Sequence, residues 1–189
     1  MGKKRKIILL GATGSIGNST LQLIRKRPDL FKLIGISANK NISQLSKIAD
    51  EFNIKHIAIN DKLASKKFSS NVKPYVGIEG LNHLSSLDCD IVVSGISGVY
   101  GLLPAINAIR SGNNLAIANK EPLVVAGKFF IEEAKKNNVK ILPVDSEHNS
   151  IFQCFNESQR KNISHITLTA SGGPFLDLKK SLFNEIRPK

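Results

Sequence analysis

Short apolar runs alternate along this chain with segments whose apolar positions recur three and four residues apart. Ile7-Ile8-Leu9-Leu10 has no polar member, which predicts a strand covered on both faces. A glycine-rich turn follows, then a helix to about Arg27, with Gly17, Leu21 and Ile24 on one face and Pro28 as its breaker. Leu33–Ser37 predicts the second strand. Asn41 or Ser43 caps the next helix, whose inner face is Leu45, Ile48 and Phe52. His56–Ile59 is a third strand, Val72–Val76 a short one, and Ile78, Leu81 and Leu84 mark a short helix. Between these, Asp61 to Ser70 is polar and weakly patterned, fit for a short helix at most.

The rhythm continues. Asp90–Ser94 predicts a buried strand, Gly98–Arg110 a helix with Leu102, Ile106 and Ile109 inward, and Leu115–Ala118 a strand. Leu123–Lys136 is helical and Lys140–Val144 is a strand. Strands separated by helices predict an α/β fold: a doubly wound, mostly parallel, Rossmann-like sheet. Residues 1–150 form that domain. Residues 151–189 begin a second one, with a helix from Asn149 to about Glu157 and a strand at His165–Thr169. That second part does not close a fold of its own, so the chain reads as the N-terminal piece of something longer.

The first turn carries glycines at 11, 14 and 17 between a strand and a helix. Such spacing serves a tight turn, a backbone approach to a pyrophosphate, and close helix–strand packing, with the helix N-terminus facing the phosphates. A dinucleotide is the ligand this predicts. The second strand runs into Ser37-Ala38-Asn39-Lys40-Asn41 without an acid to hold a ribose 2′-hydroxyl. A lysine flanked by amides suits a 2′-phosphate, which favours NADP(H) over NAD(H). Ala118-Asn119-Lys120-Glu121-Pro122 follows another buried strand. Asn119 and Glu121 are candidates to order the cofactor, and Lys120 to meet a substrate anion or carbonyl.

Asp145 and Glu147 stand two apart after Ile141-Leu142-Pro143-Val144. In extended chain such residues share a face, and two hard oxygen donors aimed at one point suit Mg²⁺ or Mn²⁺. His148 has no role assigned by pattern.

The formal net charge of +12 raises a nucleic-acid reading. The lysines are scattered, no basic stripe is interleaved with aromatics, and the same field suits a phosphorylated substrate. No nucleic-acid partner is expected. No apolar run approaches the roughly 20 residues of a bilayer span, and the four apolar residues after Lys3-Lys4-Arg5-Lys6 are too few for a signal peptide. A cytoplasmic protein without a membrane partner is expected. Cys89 and Cys154 have no ligand spacing and read as reduced apolar residues. A sugar-nucleotide epimerase would need Tyr-x-x-x-Lys, but Tyr75 is followed four later by Glu79 and Tyr100 by Pro104. A semialdehyde-dehydrogenase nucleophile is disfavoured because Cys89 lies between Asp88 and Asp90. Another NADP-binding oxidoreductase, or a non-catalytic dinucleotide-binding module, is the alternative.

Four motifs fall together: Gly11-Ala12-Thr13-Gly14-Ser15-Ile16-Gly17, Ala118-Asn119-Lys120-Glu121, Pro143-Val144-Asp145-Ser146-Glu147-His148-Asn149 and Ser171-Gly172-Gly173-Pro174-Phe175. In this order and spacing they resemble 1-deoxy-D-xylulose 5-phosphate reductoisomerase over essentially the whole chain. The resemblance implies an NADPH domain followed by an α+β catalytic and dimerisation domain, a homodimer at full length, and a metal-dependent rearrangement and NADPH-linked reduction of 1-deoxy-D-xylulose 5-phosphate to 2-C-methyl-D-erythritol 4-phosphate, in non-mevalonate isoprenoid precursor synthesis. It implies NADPH contacts from Gly11, Thr13, Gly14, Ser15, Ile16, Gly17, Asn39, Lys40, Asn41, Asn119 and Glu121. Lys120, Ser146, Glu147 and Ser171 would touch substrate, and Lys120, Asp145 and Glu147 would act in catalysis. Asp145 and Glu147 would hold Mg²⁺, Mn²⁺ or Co²⁺. A further metal carboxylate and the substrate-phosphate ligands of that family lie beyond Lys189, so the 189-residue chain is expected to bind NADPH and not to turn over alone.

Overall fold

The computed structural model describes residues 2–167, 172–173 and 175–187. By its internal contacts the chain divides into Met1–Asp145 and Ser146–Lys189.

The first unit is one seven-stranded sheet, ordered β4-β3-β2-β1-β5-β6-β7 with every pair parallel. Its strands are β1 Arg5–Leu10, β2 Phe31–Ala38, β3 His56–Ile59, β4 Tyr75–Val76, β5 Ile91–Ser94, β6 Asn114–Ile117 and β7 Ile141–Pro143. The helices are α1 Ser15–Lys26, α2 Ile42–Phe52, α3 Lys62–Lys66, α4 Gly77–Ser85, α5 Leu102–Arg110 and α6 Glu121–Lys136. The doubly wound α/β expectation is met, with the sheet wholly rather than mostly parallel.

Why an unbroken apolar run makes the central strand is visible in β1. Side chains alternate sides of the pleat. Ile7 and Leu9 enter one core with Leu21, Ile24, Leu45 and Ile48 of α1 and α2. Ile8 and Leu10 enter the other with Leu84, Ile106, Ile109 and Phe130 of α4, α5 and α6. Ile8, Leu9 and Leu10 are fully buried, each contributing about 1.5–3 kcal/mol of apolar burial. Polar residues at alternate positions would leave one core without its floor.

Local chemistry sets several boundaries. Asn41 caps α2, its Oδ1 accepting from Gln44 N–H at 3.2 Å, and Asp61 caps α3 by accepting from Leu63 and Ala64 N–H at 2.9 and 2.8 Å. The helix expected over Gly98–Arg110 opens as a 3₁₀ turn, Gly98–Gly101, before α5. Helix α6 is kinked at Ala126, where φ is −140°.

In the second unit α7 spans Ser146–Cys154, followed by 3₁₀ turns at Glu157–Asn162 and Lys180–Glu185. The helix therefore begins three residues before the expected Asn149. Of the strand expected at His165–Thr169, His165 to Thr167 carry no regular structure, and Leu168 and Thr169 lie outside the described residues. Among the described residues no helix is long and apolar enough to cross a membrane.

Candidate active site at the carboxyl edge of the sheet

Because every strand runs the same way, all their C-terminal ends share one edge. The chain winds outward from β1 through β2, β3 and β4 on one side and through β5, β6 and β7 on the other. The strand order therefore reverses between β1 and β5, the place where open α/β sheets hold ligands.

The glycine turn occupies that place. Gly11 has φ of +81°, and a Cβ built on it would lie 2.8 Å from Gly95 O in the loop after β5. Only glycine meets both demands. Its N–H donates to Ser37 Oγ at 3.0 Å, and Ala12 N–H donates to Ser37 O at 2.8 Å, so the turn is tied to β2. Gly17 is the close approach: a Cβ there would strike Ala12 O and stand 2.5 Å from Ala12 C and Gly11 O. Gly14 precedes α1, which has neither a side-chain cap nor an acid in its first turn. Its first N–H groups and positive dipole end face a cleft of about 270 Å³.

Gly11, Thr13, Gly14 and Asn39 of the predicted set line this cleft, joined by Ser37, Ala38, Asn60, Leu81, Gly95, Ile96 and Ser97. Ser37 and Ala38 belong to the stretch that favours NADP(H), whereas Asn60, Leu81 and Gly95–Ser97 carry no ligand signal in the sequence; the rule that ligand loops follow each parallel strand finds Asn60 and Gly95–Ser97. Ser15, Ile16 and Gly17 form the first turn of α1. A larger hollow of about 560 Å³ opens at the opposite edge, between Lys4, Phe31, Phe52 and Lys55, away from the glycine turn.

Lys40 and Asn41 carry further structure. Lys40 Nζ stands 3.8 Å from Asp61 Oδ2. Asn41 spends its side chain on the α2 cap and on Gln44 Oε1, to which its Nδ2 donates at 3.0 Å. Asp61 is an acid the second strand lacks, brought in from the end of β3.

At the ends of β6 and β7 the structure brings Lys120 and Asp145 together, Nζ to Oδ2 at 4.0 Å, with the carboxylate largely buried. Asn119 Nδ2 donates to Gly98 O at 3.1 Å. Its Oδ1 is buried and finds no partner among the described residues, an acceptor left for a ligand donor. Glu121 is the first residue of α6.

The expectation for Asp145 and Glu147 needs correction. They are not successive same-face residues of extended chain. Ser146 opens α7, and Glu147 lies in its first turn. The Asp145 carboxylate ends the first unit, directly before that helix. Among the described residues no group of three or more His, Cys, Asp or Glu is placed to hold a metal ion. Ser171 lies outside the described residues. Cys89 is no nucleophile: burial, aided by Asp88 and Asp90, pushes its thiol up to about 12.

Known proteins share this sequence pattern and this fold. Residues 7–127 match the family model described as 1-deoxy-D-xylulose 5-phosphate reductoisomerase, and residues 141–189 match the model of its C-terminal domain. The reductoisomerase of Clostridium acetobutylicum is 48% identical over 181 residues, covering 90% of this chain and 46% of the relative. The Zymomonas mobilis enzyme, solved with NADPH, superposes with a TM-score of 0.86 at 37% identity, covering 97% of this chain and 50% of that one. A reductoisomerase solved with NADPH, fosmidomycin and magnesium gives 0.80 at 35% identity, with 96% and 49% covered. The chain spans about half the length of the curated relatives it matches. On these matches the chain belongs to the 1-deoxy-D-xylulose 5-phosphate reductoisomerase family.

Proposed function

We propose that this chain is the NADPH-binding and metal-bearing part of an enzyme that rearranges 1-deoxy-D-xylulose 5-phosphate and reduces the product to 2-C-methyl-D-erythritol 4-phosphate. The observation that carries the reading is the pairing of Lys120 with Asp145 on the same sheet edge as the glycine-turn cleft. A dinucleotide in that cleft and a sugar phosphate at Lys120 would be neighbours.

The residues fit the dinucleotide. Gly14, where a Cβ would meet nothing nearer than Gly11 O at 3.5 Å, leaves the backbone of the turn bare toward the cleft. The α1 N-terminus offers N–H groups to a pyrophosphate, Lys40 offers charge to a 2′-phosphate, and Asn119 Oδ1 offers a buried acceptor. When bound, NADPH supplies the hydride that no side chain can. Asn60 Nδ2 donates to Asn39 Oδ1 at 3.2 Å, and the pair would wall the adenosine end.

Asp145 and Glu147 are hard oxygen donors of the kind that hold Mg²⁺ or Mn²⁺. When bound, such a cation polarises vicinal oxygens of the substrate. Lys120 brings a positive charge to the place where oxyanion charge develops during the carbon shift. Its pairing with Asp145 keeps that charge compensated and positioned. Ser146, Glu147 and Ser171 are assigned to substrate, and the full-length protein is assigned as a homodimer with a phosphorylated sugar as partner.

The test is loss of NADPH absorbance with 1-deoxy-D-xylulose 5-phosphate and Mn²⁺, on a polypeptide of the relatives' full length. Turnover is expected, and Asp145→Asn is expected to remove it. An Asp145→Asn protein that keeps the wild-type rate would refute the metal assignment; a wild type that reduces no such substrate would refute the activity.

A further inference from the structure

We propose that Asp61 is a specificity-setting residue that holds the NADPH preference of this site down. The inference rests on the NADPH reading, and concerns a residue outside the glycine turn and outside the four motifs that carry the resemblance.

Asp61 is locked beside the adenosine end of the cleft. The β2–β3 pairing runs on past the strands, with Asn60 N–H donating to Ala38 O at 3.0 Å and Asp61 N–H to Asn39 O at 3.2 Å. This sets Asp61 against Asn39 and Lys40. Its two carboxylate oxygens are divided. Oδ1 receives the Leu63 and Ala64 N–H groups of α3, and Oδ2 faces Lys40 Nζ at 3.8 Å. Those cap bonds, Ala64's first, hold the carboxyl below the ordinary aspartate range. The group is therefore a fixed anion, which cannot swing away without uncapping α3.

Lys40 is the cation beside Asn39 that a 2′-phosphate would meet, and it is mostly exposed. A 2′-phosphate drawn to Lys40 comes within a few ångströms of Asp61 as well. It shares its lysine with a carboxylate and meets that carboxylate's repulsion. A ribose 2′-hydroxyl suffers neither penalty, and Oδ2 is an acceptor for it. NAD-type sites place such an acid at the end of the second strand; here the equivalent charge arrives from the third.

Asparagine caps helices as well as aspartate does, so Asp61→Asn removes the charge and keeps α3. In the 189-residue chain, titrations of NADPH and NADH followed by dinucleotide fluorescence or calorimetry give both Kd values. Asp61→Asn is expected to tighten NADPH by about three- to fivefold, the scale of a solvent-screened charge pair, and to leave NADH unchanged or weaker. Asp61→Ser, another capping residue, is expected to do the same. Lys40→Met is expected to weaken NADPH, and in its background Asp61→Asn is expected to shrink in effect, because part of that effect is release of the lysine. Weaker NADPH binding in both Asp61 variants, or an unchanged ratio of the two Kd values, would overturn the proposal while leaving NADPH binding itself established. A wild-type chain that binds neither dinucleotide would overturn the underlying reading, and this proposal with it.

Discussion

Adding one methyl group at Gly17 and one at Gly14 separates the two tasks of the glycine turn. In Gly17→Ala the new Cβ would strike Ala12 O and stand 2.5 Å from two other backbone atoms, where ordinary contact begins at 3.4 Å. Helix α1 must retreat by about 0.9 Å, because the obstacles are main chain and cannot rotate aside. A gap of that size forfeits roughly a quarter to a half of each dispersion contact along the interface, and α1 contributes Leu21 and Ile24 to the core. Overpacking of this kind costs about 1–3 kcal/mol, and lost contacts add about as much again. Alanine's better helix propensity returns about 1 kcal/mol. The net is a loss of about 1–5 kcal/mol, or a fall in Tm of about 2–20 °C at this chain length. In Gly14→Ala the nearest atom outside the adjoining residues is Gly11 O at 3.5 Å, and φ of −88° is open to alanine. That variant is expected to melt within about 4 °C of wild type. Its methyl stands in the cleft wall, so NADPH affinity is expected to fall by about tenfold or more, or about 1.4 kcal/mol. Calorimetric melting and NADPH titration of both variants are the assay. A Gly17→Ala protein as stable as wild type, or a Gly14→Ala protein with unaltered affinity, would refute the division of labour.

Three further outcomes are expected. Asn113 is buried; its Oδ1 accepts from Cys89 N–H at 3.1 Å and its Nδ2 donates to Ser85 O and Leu87 O. Asn113→Ala strands those backbone groups and is expected to cost about 2–5 kcal/mol by thermal or urea melting; a loss below about 1 kcal/mol would be inconsistent with the network. Cys89 is buried with its thiol pushed up to about 12, whereas Cys154 is exposed. A thiol reagent at neutral pH is expected to label Cys154 in the native protein and Cys89 only after denaturation, read by peptide mass. The folded Asp61 carboxyl titrates below its unfolded value, held by the Ala64 and Leu63 N–H groups and Lys40. Its stabilising effect is then present above the ordinary aspartate range and lost as pH falls through the lower folded value. Melting from neutral pH down through about pH 4 is expected to narrow any gap between wild type and Asp61→Ala; a gap that widens on acidification contradicts the assignment.

What the sequence made legible, and what it hid, follows from how far each cause reaches along the chain. Ile7–Leu10 announces a strand covered on both sides because these four positions of β1 alternate between the two cores and each needs an apolar residue. The glycines at 11 and 17 announce the turn because their demands are local, an obligatory φ at one and a backbone contact five residues back at the other. Asp61 was invisible for the opposite reason. It sits in the least patterned stretch, and it meets Lys40, 21 positions earlier, only because β2 and β3 pair in parallel and carry their following loops to the same edge. Absence of an acid at the end of β2 was a correct reading of that strand and an incomplete one of the site. The extended-chain reading of Asp145-Ser146-Glu147 failed differently. The apolar residues before it invited an extended reading, yet Asp, Ser and Glu ahead of Ile151 and Phe152 are also the residues of a helix start. The structure takes that second option, with α7 opening at Ser146. Two carboxylates at this spacing therefore cannot be argued onto one metal by strand geometry. In the proposed reading each comes from a different structural device, Asp145 from the end of the sheet beside Lys120 and Glu147 from the first turn of a helix. A metal-binding measurement on Asp145→Asn and Glu147→Gln separately is the way to weigh them.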